Sequence, residues 1–418
     1  CGVTVLAAPT TVMAALSASE ISATLRLPND VNRTIGAVRQ FAAHYRGTRS
    51  TPRKRRDEFR KIQKRLAHSV PPEFLEFINS STDDIRIVSD AHLEWLDCGG
   101  LPLGLKKNVS RVPVTPGNLS VEQLGPKHLL RLMHDDFRKI LVIGALKDDD
   151  PVRPFFKIAF DVFGDQWGDA IDVQYVEVAT AEEFVQALND FDGPLMMFDG
   201  HGSHEQGQPG MLYFKDEACD VWTLRDRISR MPPIVVLSAC DTHAADRNHA
   251  TTANGFLSLG ARAVLGSVFP LDARDASMFA ARLVYRVAEY IPRGVATFGR
   301  ALTWSEVVMG MLRMQLLTDF LHSLLLKNSI SEDTFNAVHY LGNMAINTNI
   351  PEPFEDVIKA LIESGLPEEM LRLDFSIALA NSSVLAYINV GRPETIMLDV
   401  RGRFEAALAR AESKVGQA

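Results

Sequence analysis

Five apolar runs rich in β-branched residues recur through the middle of the chain: KILVIGAL (139–146), DVQYVEV (172–178), PLMMFDG (194–200), PIVVLSAC (233–240) and RAVLGSV (262–268). Between them, residues 152–163, 181–190, 221–230, 250–259 and 272–290 space their apolar positions as helices do. Apolar strands separated by amphipathic helices predict a mostly parallel sheet covered on both faces, an α/β fold. The runs PLMMFD and IVVLSA hold no polar residue until their C-terminal ends. In open α/β sheets that edge is where ligands sit, so the residues just beyond these two strands are the first candidates for chemistry.

The flanks follow other patterns. Residues 1–80 read as mostly helical, including 30–44 and a basic stretch, 53–67. There Arg53, Lys54, Arg55, Arg56, Arg60, Lys61, Lys64 and Arg65 alternate with Phe59, Ile62 and Leu66, the pattern of a solvated helix face over an apolar seam. From Asp84 the pattern turns to short strands, 85–90, 93–96 and 112–115. Beyond residue 300 the spacing is helical again (304–327, 332–346, 353–364, 367–373), and SSVLAYINVG (382–391) reads as one last buried strand. A helical block before a final strand predicts an insertion at about 304–373. The expected division is a helical N-terminal segment, 1–80, regulatory or the stub of a longer region, and one α/β domain, 81–418.

Composition narrows the function classes. With 46% hydrophobic and 23% charged residues among 418, the chain is ordinary globular protein. Lys plus Arg number 44 against 52 Asp plus Glu, a net charge of −8, which argues against direct nucleic-acid or anionic-membrane binding. The longest apolar stretch, 307–326, carries Arg313, Asp319 and His322, so it reads as an amphipathic helix and not a membrane span. The four cysteines, Cys1, Cys98, Cys219 and Cys240, form no close pair, which excludes a disulfide framework and a CxxC zinc cage. Unpaired thiols make the cytoplasm the expected location. Cys1 stands where a processed lipoprotein would carry its lipid, or where a longer protein has simply been cut.

The two strand ends read Asp199-Gly200-His201-Gly202-Ser203-His204 and Ser238-Ala239-Cys240-Asp241-Thr242-His243. Glycines on both sides of His201 permit a tight turn and close backbone approach. A cysteine attacks as its thiolate, which a neighbouring imidazole generates by taking the proton. If the two strands are neighbours, Cys240 and His201 face one crevice, and the N–H groups of Gly202 and Cys240 suit a developing oxyanion. A rival reading takes His201, His204, Cys240 and His243 as zinc ligands, since each pair is three residues apart. The Gly turn and the loose spacing count against it.

These blocks resemble a known family. A strand ending in Gly-His-Gly, then GMLYF, then PPIVVLSACDT, is similar to the CHAT family of caspase-like cysteine peptidases. NGFLSLGARAVLGSVFPLDARDASMFAARLVY (254–285), LEWLDCGGLPLGLKK and SSVLAYINVGRPE extend the likeness to 84–300 and 380–395. The resemblance implies a caspase-hemoglobinase fold and a bacterial-type thiol protease needing no cofactor. Cys240 would be the nucleophile, His201 the general base, and Gly202 and Cys240 the oxyanion hole. It also implies a protein or peptide substrate and control by a partner or ligand. An interaction scaffold with an unused Cys/His pair is the alternative. By analogy with caspases, Asp241, Ser267, Phe269 and Asp272 would line the first substrate pocket, and acidic lining would favour a basic residue before the cut. His204 and His243 match no role in the family.

Overall fold

In a computed structural model, residues 22–47, 50–81, 84–125 and 128–406 are described, together with positions 12 and 15. The described strands are β1 (Ile85–Val88), β2 (Val109–Val112), β3 (Leu130–Met133), β4 (Lys139–Gly144), β5 (Asp172–Glu177), β6 (Leu195–Asp199) and β7 (His201–Ser203). They continue with β8 (Met211–Tyr213), β9 (Ala218–Cys219), β10 (Ile234–Ser238), β11 (Ala263–Ser267), β12 (Leu302–Thr303), β13 (Tyr387–Gly391) and β14 (Ile396–Asp399). Eight of them form one sheet in the order β1-β2-β13-β11-β10-β6-β4-β5. Neighbours run parallel except β11 and β13. This is the mostly parallel, helix-flanked α/β architecture expected. Every residue of β6 and β11 is buried, as continuous apolar strands require when both faces are covered.

Apart from the one expected at 221–230, the helices lie where the periodicity put them, with different ends. Ala273–Phe298 packs on Arg153–Trp167 and on Trp304–Leu326. Elsewhere Phe184 of the helix Ala181–Asp190 meets Phe198, Phe214 and Phe256. Trp304–Leu326 starts at a capping box, in which Thr303 accepts from the Glu306 N–H and Glu306 accepts from the Thr303 N–H. With Glu332–Asn347, Pro353–Glu363 and Glu368–Asn381 it makes the helical block between β11 and β13. The block runs to Asn381, past the expected 373.

Several short elements differ from the sequence reading. Residues 93–95 form a 3-10 turn and not a strand: Leu93 and Trp95 are apolar because they face the core, without strand alternation. The strand expected at 112–115 is β2, ending at Val112, with Asp90 taking the N–H groups of Val114 and Thr115. β1 and β2 extend the main sheet and make no separate entrance to it. The helix expected at 221–230 is a 3-10 turn, Val221–Leu224, and the closing strand begins at Tyr387 after a 3-10 turn at 383–385. Two three-stranded sheets, β12-β14-β3 and β7-β8-β9, come from segments too short for a hydrophobic period to register.

The N-terminal helices do not stand apart. Ile35–Arg46 and Pro52–Ser69 bury Phe41, Phe59, Ile62 and Leu66, the last three being the apolar seam of the basic stretch. Phe41 meets Trp95, Phe59 and Phe269, and Tyr45 stacks on Phe269 with ring centroids 4.6 Å apart. One aromatic cluster thus joins the first helices to the segment following β11. Phe269→Ala is expected to destabilise the protein by about 3–5 kcal/mol, the usual range for a buried phenylalanine. A urea-unfolding shift below about 1 kcal/mol would show that the cluster does not hold these parts together.

Candidate functional site

β6 and β10 are adjacent and in register, and their last pair is Asp199 with Ser238. The chain therefore leaves the sheet twice at the same edge, once toward His201 and once toward Cys240. After Asp199 it turns into the β7–β8 hairpin, which pairs His201 with Tyr213 and Gly202 with Leu212. Gly202 runs so close to the cysteine loop that any Cβ there would collide with the Cys240 carbonyl oxygen. Its glycine is required by that approach. The two backbones assigned to the oxyanion hole are thus in contact.

The loop after β10 is fastened from below. The Ser267 hydroxyl donates to the Ala239 carbonyl (2.7 Å). The Ser267 N–H donates to Thr242 Oγ1 (2.8 Å), and the His243 N–H to the Ser267 carbonyl (2.8 Å). Asp241 takes a left-handed backbone conformation (φ 52°), one that Asp tolerates better than most side chains. This turn exposes Cys240 at the sheet edge.

Both reactive side chains have partners, and no hydrogen bond joins them. Cys240 Sγ accepts from the Leu271 N–H at 3.4 Å and lies 3.8 Å from the Leu271 carbonyl. Burial pushes the Cys240 thiol above its ordinary pKa, outweighing the Leu271 N–H, and Asp241 adds to the rise while Arg46 opposes it. His201 is half exposed in a cleft of about 340 Å³ with Lys147, Tyr213 and Lys215. Its Nε2 lies 2.7 Å from Asp150 Oδ2. Burial raises the Asp150 pKa, but the Val152 N–H and the imidazole outweigh it and hold the carboxyl below its usual range. An ionised carboxylate only accepts, so Nε2 carries the ring proton and Nδ1 keeps the free lone pair. The sequence reading missed Asp150: it lies some fifty residues upstream, after β4, and only the fold brings it to the imidazole.

The remaining candidates are differently employed. Ser267 is fully buried beneath the cysteine loop and Phe269 within the aromatic cluster. Asp272 caps the helix Ala273–Phe298 by accepting from the Arg274 and Asp275 N–H groups. None of these three presents a polar side chain beside the thiol, whereas Asp241 does, and Arg46 holds its carboxylate. His204 bonds Asn248 and His243 bonds Thr251. The zinc alternative finds no geometry, since no group of three or more His, Cys, Asp or Glu among the described residues is arranged to hold a metal. Cys98 and Cys219 are buried, with burial the main cause of pKa values near 11. No described helix is long and apolar enough to cross a membrane.

Adjacent parallel strands delivering a cysteine and a histidine to one edge of a helix-flanked α/β sheet define the class of the fold and site. Residues 162–302 match the family model of the CHAT domain. That third of the chain holds β5 through β11 and both strand ends, so the CHAT resemblance is borne out there. Two crystal structures of the Saccharomyces cerevisiae separase–securin complex are also similar to this chain, each at 14% identity and TM-score 0.35. The matches cover 90% and 87% of this chain, but it spans only 23% and 20% of those proteins. No curated protein matches it.

One group at the site titrates within reach of experiment. Burial raises Asp199, at the end of β6, to about 7, against a lowering hydrogen bond from Tyr175 Oη (3.4 Å). Between the ordinary value of 3.8 and about 7 the folded protein binds more protons than the unfolded chain. Stability should therefore fall as pH rises across that window. Asp199→Asn is expected to remove the fall, so its urea midpoint should gain on wild type between pH 4 and 8. Parallel profiles would exclude a buried protonated Asp199.

Proposed function

We propose that the protein is a caspase-like cysteine endopeptidase with Cys240 as nucleophile and His201 as general base. The observation that carries the reading is the in-register pairing of β6 with β10, which starts both side chains from neighbouring positions on one sheet edge. The CHAT match over 162–302 supports the peptidase class independently.

In this mechanism His201 Nδ1 takes the thiol proton and the Cys240 thiolate attacks the scissile carbonyl carbon. The oxyanion forms beside the Gly202 and Cys240 N–H groups. The imidazolium then gives its proton to the departing amine as the C–N bond breaks, leaving an acyl thioester on Cys240. Water, deprotonated by the same imidazole, hydrolyses that ester and restores the thiol. Asp150 is a positioning residue: it fixes the tautomer and favours the charged ring that forms. Asp241 gives the first pocket acidic character and a preference for a basic residue before the cut. The Cys240 thiol must leave its contact with Leu271 and meet His201 Nδ1 for the proton to move, while the Asp150 contact stays, which agrees with a protease switched on by a partner or ligand. The substrate is a protein or peptide, met in the cytoplasm. The domain reading proposed is a regulatory helical segment, 1–80, joined to a peptidase domain, 81–418.

Iodoacetamide labelling followed by peptide mass analysis tests the pair. Cys240 is expected to react faster than Cys98 and Cys219, and His201→Ala to slow it on the order of 10²-fold, the scale of a general-base contribution. Equal, slow labelling of these three thiols, unaffected by His201→Ala, would overturn the peptidase reading and favour a scaffold. Asp150→Ala should lower the Cys240 rate by a smaller factor than His201→Ala. An unchanged rate would remove its positioning role.

A further inference from the structure

The acidic group beside Cys240 is not empty of cations. Arg46, the last residue of the helix Ile35–Arg46, reaches it from the N-terminal segment. Arg46 Nη2 lies 2.5 Å from Asp241 Oδ1, Nε 3.4 Å from Asp241 Oδ2, and Nη1 2.8 Å from Asp246 Oδ2. The fork matches how a guanidinium is recognised by paired carboxylates, which a lysine or neutral side chain reproduces less well. Asp246 is buried, its Oδ2 also accepts from Arg247, and its Oδ1 has no hydrogen-bond partner among the described residues, so the pair retains acceptor capacity. The Arg46 side chain is 24% exposed. It is close enough to act electrostatically on the Cys240 thiol.

We infer that Asp241 and Asp246 form a guanidinium subsite beside Cys240, that Arg46 is its internal occupant, and that an arginine side chain of the substrate must displace Arg46 to be cut. This rests on the peptidase reading and adds Asp246 and Arg46 to it. Arg46 is an occupant and not a substrate, because its peptide group belongs to a helix while a sheet-edge peptidase reads extended backbone. The helix itself need not leave. Val38, Phe41 and Ala42 bury it in the core, and Tyr45 stacks on Phe269. Rotation of the Arg46 side chain alone frees the two carboxylates. Exchange with Arg46 therefore burdens the binding of arginine substrates relative to substrates that leave Arg46 in place.

The test compares inactivation of Cys240 by a peptidyl-arginyl chloromethyl ketone and its leucyl counterpart in wild type, Arg46→Gln and Arg46→Lys. Arg46→Gln should raise the ratio of the arginyl to the leucyl second-order rate about tenfold or more, through tighter initial binding of the arginyl probe; the leucyl reaction reads any change at the thiol itself. Arg46→Lys should fall between wild type and Arg46→Gln. Adding Asp241→Asn and Asp246→Asn to Arg46→Gln should abolish the arginyl preference. An arginyl reaction indifferent to Arg46, while iodoacetamide still reports a His201-dependent Cys240, would overturn the occupancy and leave the peptidase reading standing. A Cys240 inert to all probes in every variant would remove both.

Discussion

Parallel pairing of β6 with β10 is the constraint on which the rest of the molecule depends. Their register fixes where the chain twice leaves the sheet, and close packing at that edge leaves no space for a side chain at position 202. The histidine hairpin and the cysteine loop are consequently one structural unit. Beneath it, the hydrogen bonds of Ser267 and Thr242 tie the cysteine loop to β11. Ser267, which looks from the sequence like pocket lining, thus serves to hold the Cys240 loop.

In the proposed peptidase, the described arrangement is that of a resting site. A partly buried thiol is held by Leu271, and an imidazole held by Asp150 has the correct tautomer but no bond to the thiol. Beside them Arg46 neutralises two carboxylates. These three contacts differ in kind, one to a backbone amide, one to a carboxylate and one ionic. They share a consequence, that the reacting groups are built but not yet engaged. The aromatic cluster of Phe41, Tyr45, Trp95 and Phe269 gives the N-terminal helices a mechanical connection to the segment that follows β11.

The central sheet was legible because its strands are long, continuous and bounded by helices, so periodicity separates them. Cys240 and His201 stood out because strand ends and glycines mark them locally. What escaped the sequence reading depends on contacts between distant segments. Asp150 meets His201 across 51 positions, and Arg46 meets Asp241 across 195. Neither carries a local motif. The four residues expected in the first pocket are employed differently: Asp241, next to the cysteine, is held by Arg46. Phe269 follows apolar packing into the core, Ser267 is spent on hydrogen bonds to the cysteine loop, and Asp272 satisfies the open N–H groups of a helix start. Short strands such as β3, β12 and β14 are stabilised by tertiary pairing, which a hydrophobic period over two to four residues cannot reveal.

The central claim is that Cys240 becomes acylated by substrate with His201 as its base. Rapid acid quench of the full chain with a peptide ester, followed by intact-mass and peptide analysis, measures this directly. The account predicts a mass increase equal to the acyl group on Cys240, absent in Cys240→Ala and strongly reduced in His201→Ala. An acyl adduct formed equally well without His201, or none on Cys240 even after Arg46→Gln, would contradict it.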